Sequence, residues 1–349
     1  MRAITYDRHG GPDVMSVNEL PKPTPGPYEA LIQVKAVSLN GFDPMMLEGS
    51  TELKTPMPMI PGGDLAGDIV ALGERAHKPD PNGMPQLALF DVARWKVGER
   101  VAPFPFVPGE GMTGETRRGA CCEYICFPVA NLLPVPDELT YAQAAALPIA
   151  YGTAYRMLKT VGKVRARETV LILGATGGVG TCAVQLAKAA GARVIAAGRG
   201  AERVAKLAKL GADHVIDTNA QDLIQTCHEI AGKPHMMSAK TGVDVVINYI
   251  GGDTWNACLK VIKSNGRMLT CGATAGHQAT TDLRYLWTYE QKLMGSNGWF
   301  PPDQLELMGM VARGALEPII HAEYALEDTP KAFKELMDRK AFGKIVITP

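Results

Sequence analysis

The chain has 349 residues, and its 36 Lys plus Arg balance 36 Asp plus Glu to a formal net charge of zero, so no global field points to nucleic acid or an anionic membrane. The length suffices for a large core divided between two domains. Its 7 cysteines are odd in number and thinly spread, no signal-peptide core opens the sequence, and apolar runs are only strand-length, so the expectation is a soluble cytoplasmic protein with a small-molecule partner, neither membrane-bound nor disulfide-stapled.

The first segment, to about Leu133, is rich in Gly and Pro, and its short alternating runs, such as residues 30–37, predict an irregular, mainly β domain. The loop Ser38-Leu39-Asn40-Gly41-Phe42-Asp43 follows that run, and a tight turn at Pro61-Gly62-Gly63-Asp64 precedes another. Residues 74–91 contain Pro79-Asp80-Pro81-Asn82-Gly83-Met84-Pro85, whose turn chemistry predicts a long polar loop, either a lid or dimer contact or an idle surface excursion. Residues 119–128 read as a strand that places Cys122 and Cys126 on one face and Cys121 on the other. Lacking C-x-x-C spacing and a nearby histidine, these cysteines suit buried small hydrophobes better than a zinc knuckle.

From Thr140 the texture turns to alanine-rich helix, residues 141–147 and 151–158 around Pro148, and marks the passage into a second domain. The apolar run 169–173 empties into Gly174-Ala175-Thr176-Gly177-Gly178-Val179-Gly180, followed by helical spacing at Ala183, Leu186, Ala187 and Ala190, a stop at Gly191 and a second strand at 194–197. This is a nucleotide-binding unit. Glycines let the backbone approach a pyrophosphate, and the N–H groups opening the helix face its charge. The alternation continues with helix 201–210, strand 214–217, helix 221–231 and strands 243–248 and 266–271, which predicts an α/β doubly wound parallel sheet. In the usual strand order, residues 248–252, with Asn248 and Ile250, and 271–274, with Gly272 and Ala273, emerge beside the glycine turn where a nicotinamide would lie. Asn248 can there meet the nicotinamide ribose or carboxamide, and Thr153, near a helix start, is placed to reach the cofactor. Trp287, Trp299 and Phe300 either wall a substrate pocket or pack between domains. Helices at 303–312 and 329–339 precede an alternating strand, 343–347, that returns to the first domain. The expected division is 1–138 with 301–349 for the mainly-β domain, and 139–300 for the nucleotide-binding domain.

An NAD-selective unit ends its second strand in an Asp or Glu that accepts from the ribose 2′-OH. Here that place holds Gly198-Arg199-Gly200. Glycine removes the anion, while Arg199, and Arg203 one turn later, can pair with a 2′-phosphate, so NADPH is the predicted cofactor. A solvated helix start is the other account of the two arginines.

Several stretches together resemble the medium-chain dehydrogenase/reductase superfamily over nearly the whole chain. They are the glycine turn, Gly73 before Lys96-Val97-Gly98-Glu99-Arg100-Val101, Ala144-Ala145-Ala146-Leu147-Pro148 with Thr153-Ala154-Tyr155, and Gly343-Lys344-Ile345-Val346. Within it the sequence is most similar to the zinc-independent quinone oxidoreductases and enoyl reductases. The resemblance implies a GroES-like substrate domain with a Rossmann domain, an active site in the cleft between them, and a homodimer or homotetramer that continues the Rossmann sheet through an apparent strand at 293–295. The zinc branch would carry cysteine at Asn40, a His-Glu pair at Gly63-Asp64 and a four-cysteine lobe before Gly119. Asp43 and Asp64 alone cannot supply three ligands, so no metal is expected. Without a Lewis acid the acceptor needs activation by conjugation, as in a quinone, a 2-alkenal or enone, or an enoyl thioester. The Asn40-x-x-Asp43 pattern resembles the Asn and Asp at the substrate cleft of zinc-free reductases, which implies an amide donor at Asn40 and an orienting acceptor at Asp43. A loop-capping pair accounts for the same pattern. Lys344 resembles the family's C-terminal lysine near the cofactor. The competing readings are a zinc alcohol dehydrogenase with unusual ligands and a non-catalytic NADPH-binding protein.

Overall fold

The computed structural model describes residues 1–81, 83, 89–238 and 240–349, so the core of the expected polar loop, residue 82 and residues 84–88, lies outside the described residues. The chain divides into two compact units, Met1–Ala150 with Phe300–Pro349, and Tyr151–Trp299.

In the first unit the alternating run becomes an eleven-residue strand, Glu29–Leu39, long enough to serve three antiparallel partners. Its first half pairs with Tyr124–Pro128, residues 30–38 pair with Asp64–Leu72, and its end pairs with the chain's last strand, Lys344–Thr348. Ile345 lies opposite Leu39 and Asp64 opposite Ser38, so Asn40, Asp64 and Lys344 arrive at one end of the sheet. Inward side chains such as Ile32, Ile69, Phe127 and Ile345 form one core cluster that fixes this register, since a slip by one residue would turn the apolar set outward.

The strand expected over 119–128 begins only at Tyr124. Cys121 and Cys122 precede it: Cys121 accepts from the Ile4 N–H at 2.9 Å and donates its own N–H to Pro61 at 3.0 Å, so this stretch is tied to other segments and the predicted pairing of Cys122 with Cys126 on one strand face does not arise. Cys121 and Cys122 are buried and Cys126 is half-buried.

The second unit is a six-stranded sheet in the order His214–Asp217, Arg193–Gly198, Thr169–Leu173, Val243–Ile247, Ile262–Thr270, Lys292–Gly295, with every pair parallel. Numbered along the chain this is 3-2-1-4-5-6, the doubly wound dinucleotide order, whose reversal lies between Thr169–Leu173 and Val243–Ile247. Val170, Leu171 and Ile172 have no exposed surface, as a central parallel strand covered on both faces requires. The strand expected from Gly266 starts four residues earlier, because Asn265 adopts a positive φ of 65° inside a register shift and its Asn-Gly step reads locally as a turn. No helix among the described residues is long and apolar enough to cross a membrane.

Candidate active site

The glycine turn of the second unit is shaped by contacts that exclude side chains. Gly174 has a φ of +65°, the left-handed region, and a Cβ there would come within 2.9 Å of Ile250 Cδ1. A Cβ at Gly180 would lie 2.4 Å from the Gly174 carbonyl oxygen and 2.5 Å from Ala175 Cα, so the helix packs its backbone directly on the turn. That helix, Gly178–Ala189, is capped by Gly177 in extended conformation, with no side-chain cap and no acidic residue in its first turn. Its leading N–H groups and positive dipole end therefore fit a phosphate anion. Ala175 and Thr176 are buried, and Gly177, Gly178 and Val179 are half-buried.

At the end of the second strand, Gly198 is buried, and a Cβ there would meet Thr176 Cγ2 at 2.8 Å and Val204 Cγ2 at 3.3 Å. An acidic side chain has no room in this packing. Arg199 is exposed, and Arg203 donates through Nη2 to the Arg199 carbonyl at 2.7 Å, which folds the second arginine over the first residue's backbone. Sequence reasoning passed over Asp217, which lies in register with Gly198. Its carboxylate accepts from the N–H groups of Gly200 and Asn219, both at 3.0 Å, and so shapes the loop that carries Arg199.

Asn248 is fully buried. Its Oδ1 accepts from the N–H groups of Ile250 and Gly251 at 3.0 and 3.1 Å, and its Nδ2 faces Thr254 Oγ1 and Cys258 Sγ at 3.2 and 3.4 Å. The amide thus builds its own strand-end loop. Tyr249, beside it, donates its hydroxyl to the Gly174 carbonyl at 2.7 Å, a link to the glycine turn that no local pattern signals. Gly272 is exposed and Ala273 half-buried, in a loop held by Thr274 N–H to Tyr249 O at 3.2 Å. Thr153 is half-buried on the short helix Gly152–Tyr155, and Trp299 packs on its first residue, leaving 2.4 Å between Trp299 Cγ and any Cβ at Gly152. Trp287 and Phe300 are exposed.

In the first unit the sheet end gathers four polar side chains, Asn40, Asp43, Asp64 and Lys344, each at most 4% exposed. Lys344 Nζ donates to Asn40 Oδ1 at 2.5 Å and lies 3.9 Å from Asp64 Oδ2. Asn40 Nδ2 donates to Asp64 Oδ2 at 2.9 Å, so both ends of the Asn40 amide are engaged within the cluster. Asp43 Oδ2 accepts the Asn40 N–H at 2.6 Å, the geometry of a loop cap, and Asp64 accepts the Ile149 N–H at 3.2 Å. Lys344 accordingly sits with Asn40 and Asp64, and Asp64 joins the site although its family position alone had drawn attention to it.

Two carboxyl groups and one amine thus share a buried site. Burial raises Asp64 to about 6 against the pull of Lys344, and burial likewise raises Asp43. Burial lowers Lys344, opposed by the two carboxylates. Beside the cluster, a Cβ at Gly63 would meet Ile149 Cδ1 at 2.9 Å, the Thr113 carbonyl at 3.0 Å and Phe42 Cζ at 3.2 Å, so the place of a histidine is filled. Among the described residues no group of three His, Cys, Asp or Glu could hold a metal ion.

A model of the alcohol dehydrogenase GroES-like domain matches residues 26–137, and a model of the zinc-binding dehydrogenase domain matches residues 178–313. A quinone oxidoreductase of Pongo abelii is 27% identical over 99% of this chain and 97% of its own length. A crotonyl-CoA reductase of Streptomyces avermitilis is 28% identical over 94% of this chain and 80% of its own. The solved structure of a putative alcohol dehydrogenase from Sinorhizobium meliloti 1021 superposes with a TM-score of 0.84 at 30% identity, covering all of this chain and 96% of that one.

Proposed function

Because the chain belongs to the medium-chain dehydrogenase/reductase superfamily, in its quinone oxidoreductase-like branch, we propose that this oxidoreductase uses NADPH, without zinc, to reduce a conjugated acceptor: a quinone, a 2-alkenal or enone, or an enoyl thioester. The end of the strand Arg193–Gly198 is the observation that carries the cofactor choice. Thr176 and Val204 fill the space an acidic side chain would need, while the exposed Arg199 and neighbouring Arg203 offer guanidinium groups to a 2′-phosphate. Residues 175–180 would hold the diphosphate through helix N–H groups. When bound, NADPH supplies a hydride.

The chain's own residues bind, orient and store charge. The 40–43 loop is held by reciprocal bonds in which Asp43 caps Asn40, so we assign both to positioning the substrate loop. Lys344 already places a cation against Asn40 Oδ1, and with the space beside Gly63 filled, the donor set does not suit a zinc ion. Asp43 and Asp64, both raised by burial, can retain a proton close to neutral pH within the cluster. An acceptor activated by conjugation fits a site without a Lewis acid.

The test is an NADPH-oxidation screen over 1,4-quinones, 2-alkenals, enones and crotonyl-type thioesters, repeated with NADH and paired with metal analysis. Turnover with NADPH on at least one class, with NADH much poorer and metal below stoichiometry, is the expected result. Equal use of NADH, or stoichiometric zinc with alcohol oxidation, refutes the proposal. Tight NADPH binding without turnover on any class assigns a binding role instead.

A further inference from the structure

We propose that Tyr249 is a positioning residue for the diphosphate cradle, its hydroxyl holding the glycine turn in binding shape before a cofactor arrives. This rests on the reading of that turn as the NADPH site and extends it to a residue outside the glycine motif. Pairing of Ile247 with Ile172 brings the two strand ends side by side, so the chain leaving at Tyr249 runs against the chain leaving at Gly174. The Tyr249 hydroxyl donates to the Gly174 carbonyl at 2.7 Å. One side chain thereby ties the first residue of the turn to the end of the neighbouring strand.

The fit is steric as well as polar. A Cβ at Gly174 would come within 3.0 Å of the Tyr249 hydroxyl and 3.2 Å of its Cε2, so ring and glycine are matched to each other. Gly174 holds a φ of +65°, one of many conformations open to a residue without Cβ, and a free turn of this kind loses conformational entropy when a ligand fixes it. A hydroxyl that fixes the turn in advance moves that cost from binding to folding, which strengthens binding without adding a ligand contact. The Gly174 carbonyl also accepts the Gly177 N–H at 3.0 Å, so the phenol holds in place the same acceptor that closes the turn. Burial pushes the phenol above its usual range, so it stays a donor at ordinary pH. The helix's first N–H groups, at Gly178 and Val179, precede any possible intrahelical acceptor and are left to the anion.

Tyr249→Phe keeps the ring and removes the hydroxyl. Titrating the full chain with NADPH, read by cofactor fluorescence, should show Kd several-fold and at most about tenfold higher, the ceiling set by the loss of one well-placed hydrogen bond. Binding of 2′-AMP, which has no diphosphate, should be unchanged. In the cofactor-free chain, hydrogen–deuterium exchange across residues 174–180 should accelerate while the rest of the second unit keeps its protection. Both changes are required. An unchanged Kd or unchanged exchange in the turn overturns the role of Tyr249 and leaves the cofactor reading standing, whereas a wild-type chain that fails to bind NADPH overturns that reading itself. Exchange that accelerates throughout the unit makes the hydroxyl a general stabiliser and also overturns the proposal.

Discussion

Replacing Lys344 by methionine removes the ammonium that faces Asn40 Oδ1 and Asp64 Oδ2 and leaves two buried carboxyl groups behind. Breaking a buried ionic cluster from one side costs about 3–5 kcal/mol at neutral pH. Protonation limits that cost, because the carboxyls can neutralise themselves. In the intact chain Asp64 titrates at about 6, raised from its ordinary 3.8 by burial, which Lys344 partly offsets. A carboxyl whose folded pKa lies above its unfolded value gives stability that is complete at low pH and is lost as pH rises through the folded pKa. Without Lys344 the folded pKa moves higher still, and between pH 6 and 8 the carboxyls of the variant's native state hold up to about one more proton than those of the wild type. Its deficit then widens by up to about 1.4 kcal/mol per pH unit, at most close to 3 kcal/mol over that range. Urea denaturation of both proteins at pH 5, 6, 7 and 8 measures this directly, with the two converging towards pH 5. A deficit that stays constant within 1 kcal/mol from pH 6 to 8 would refute the charge coupling among Lys344, Asp64 and Asp43.

Arg199→Ala should raise the KM for NADPH about tenfold or more and leave that for NADH unchanged, the loss of a charge-assisted bond to a 2′-phosphate; equal effects on both cofactors would assign Arg199 to the surface. Gly198→Asp alone should weaken both cofactors, since its Cβ meets Thr176 Cγ2, whereas Thr176→Gly with Gly198→Asp should shift preference towards NADH. A single variant that switches as well as the double would show that Thr176 does not guard the position. Lys292–Gly295 forms one edge of the parallel sheet, and we expect light scattering to report a dimer or tetramer at micromolar concentration; a monomer would remove the sheet-edge assembly.

What the sequence determined by itself was local and periodic. The run at 169–173, the glycines of the turn and the helix that follows are consecutive, so side-chain spacing and backbone freedom within a few residues specify them. The alternation of strands and helices likewise predicted a parallel doubly wound sheet, and the strand order is the expected one. Boundaries failed where a local signal was ambiguous, as at the Asn265 bulge, or where partners were distant, as at Cys121. Tertiary structure alone decided what the polar side chains do. Lys344 meets Asn40 across 304 residues because an antiparallel register brings the last strand to the end of an early one. Tyr249 reaches Gly174 across 75 residues through a parallel pairing, while Asn248, read as facing a ligand, turns its amide into its own loop. Hydrogen bonds are short-ranged and directional, so a residue's type and spacing say which bonds it can make, and only the packed fold says which partner lies within reach.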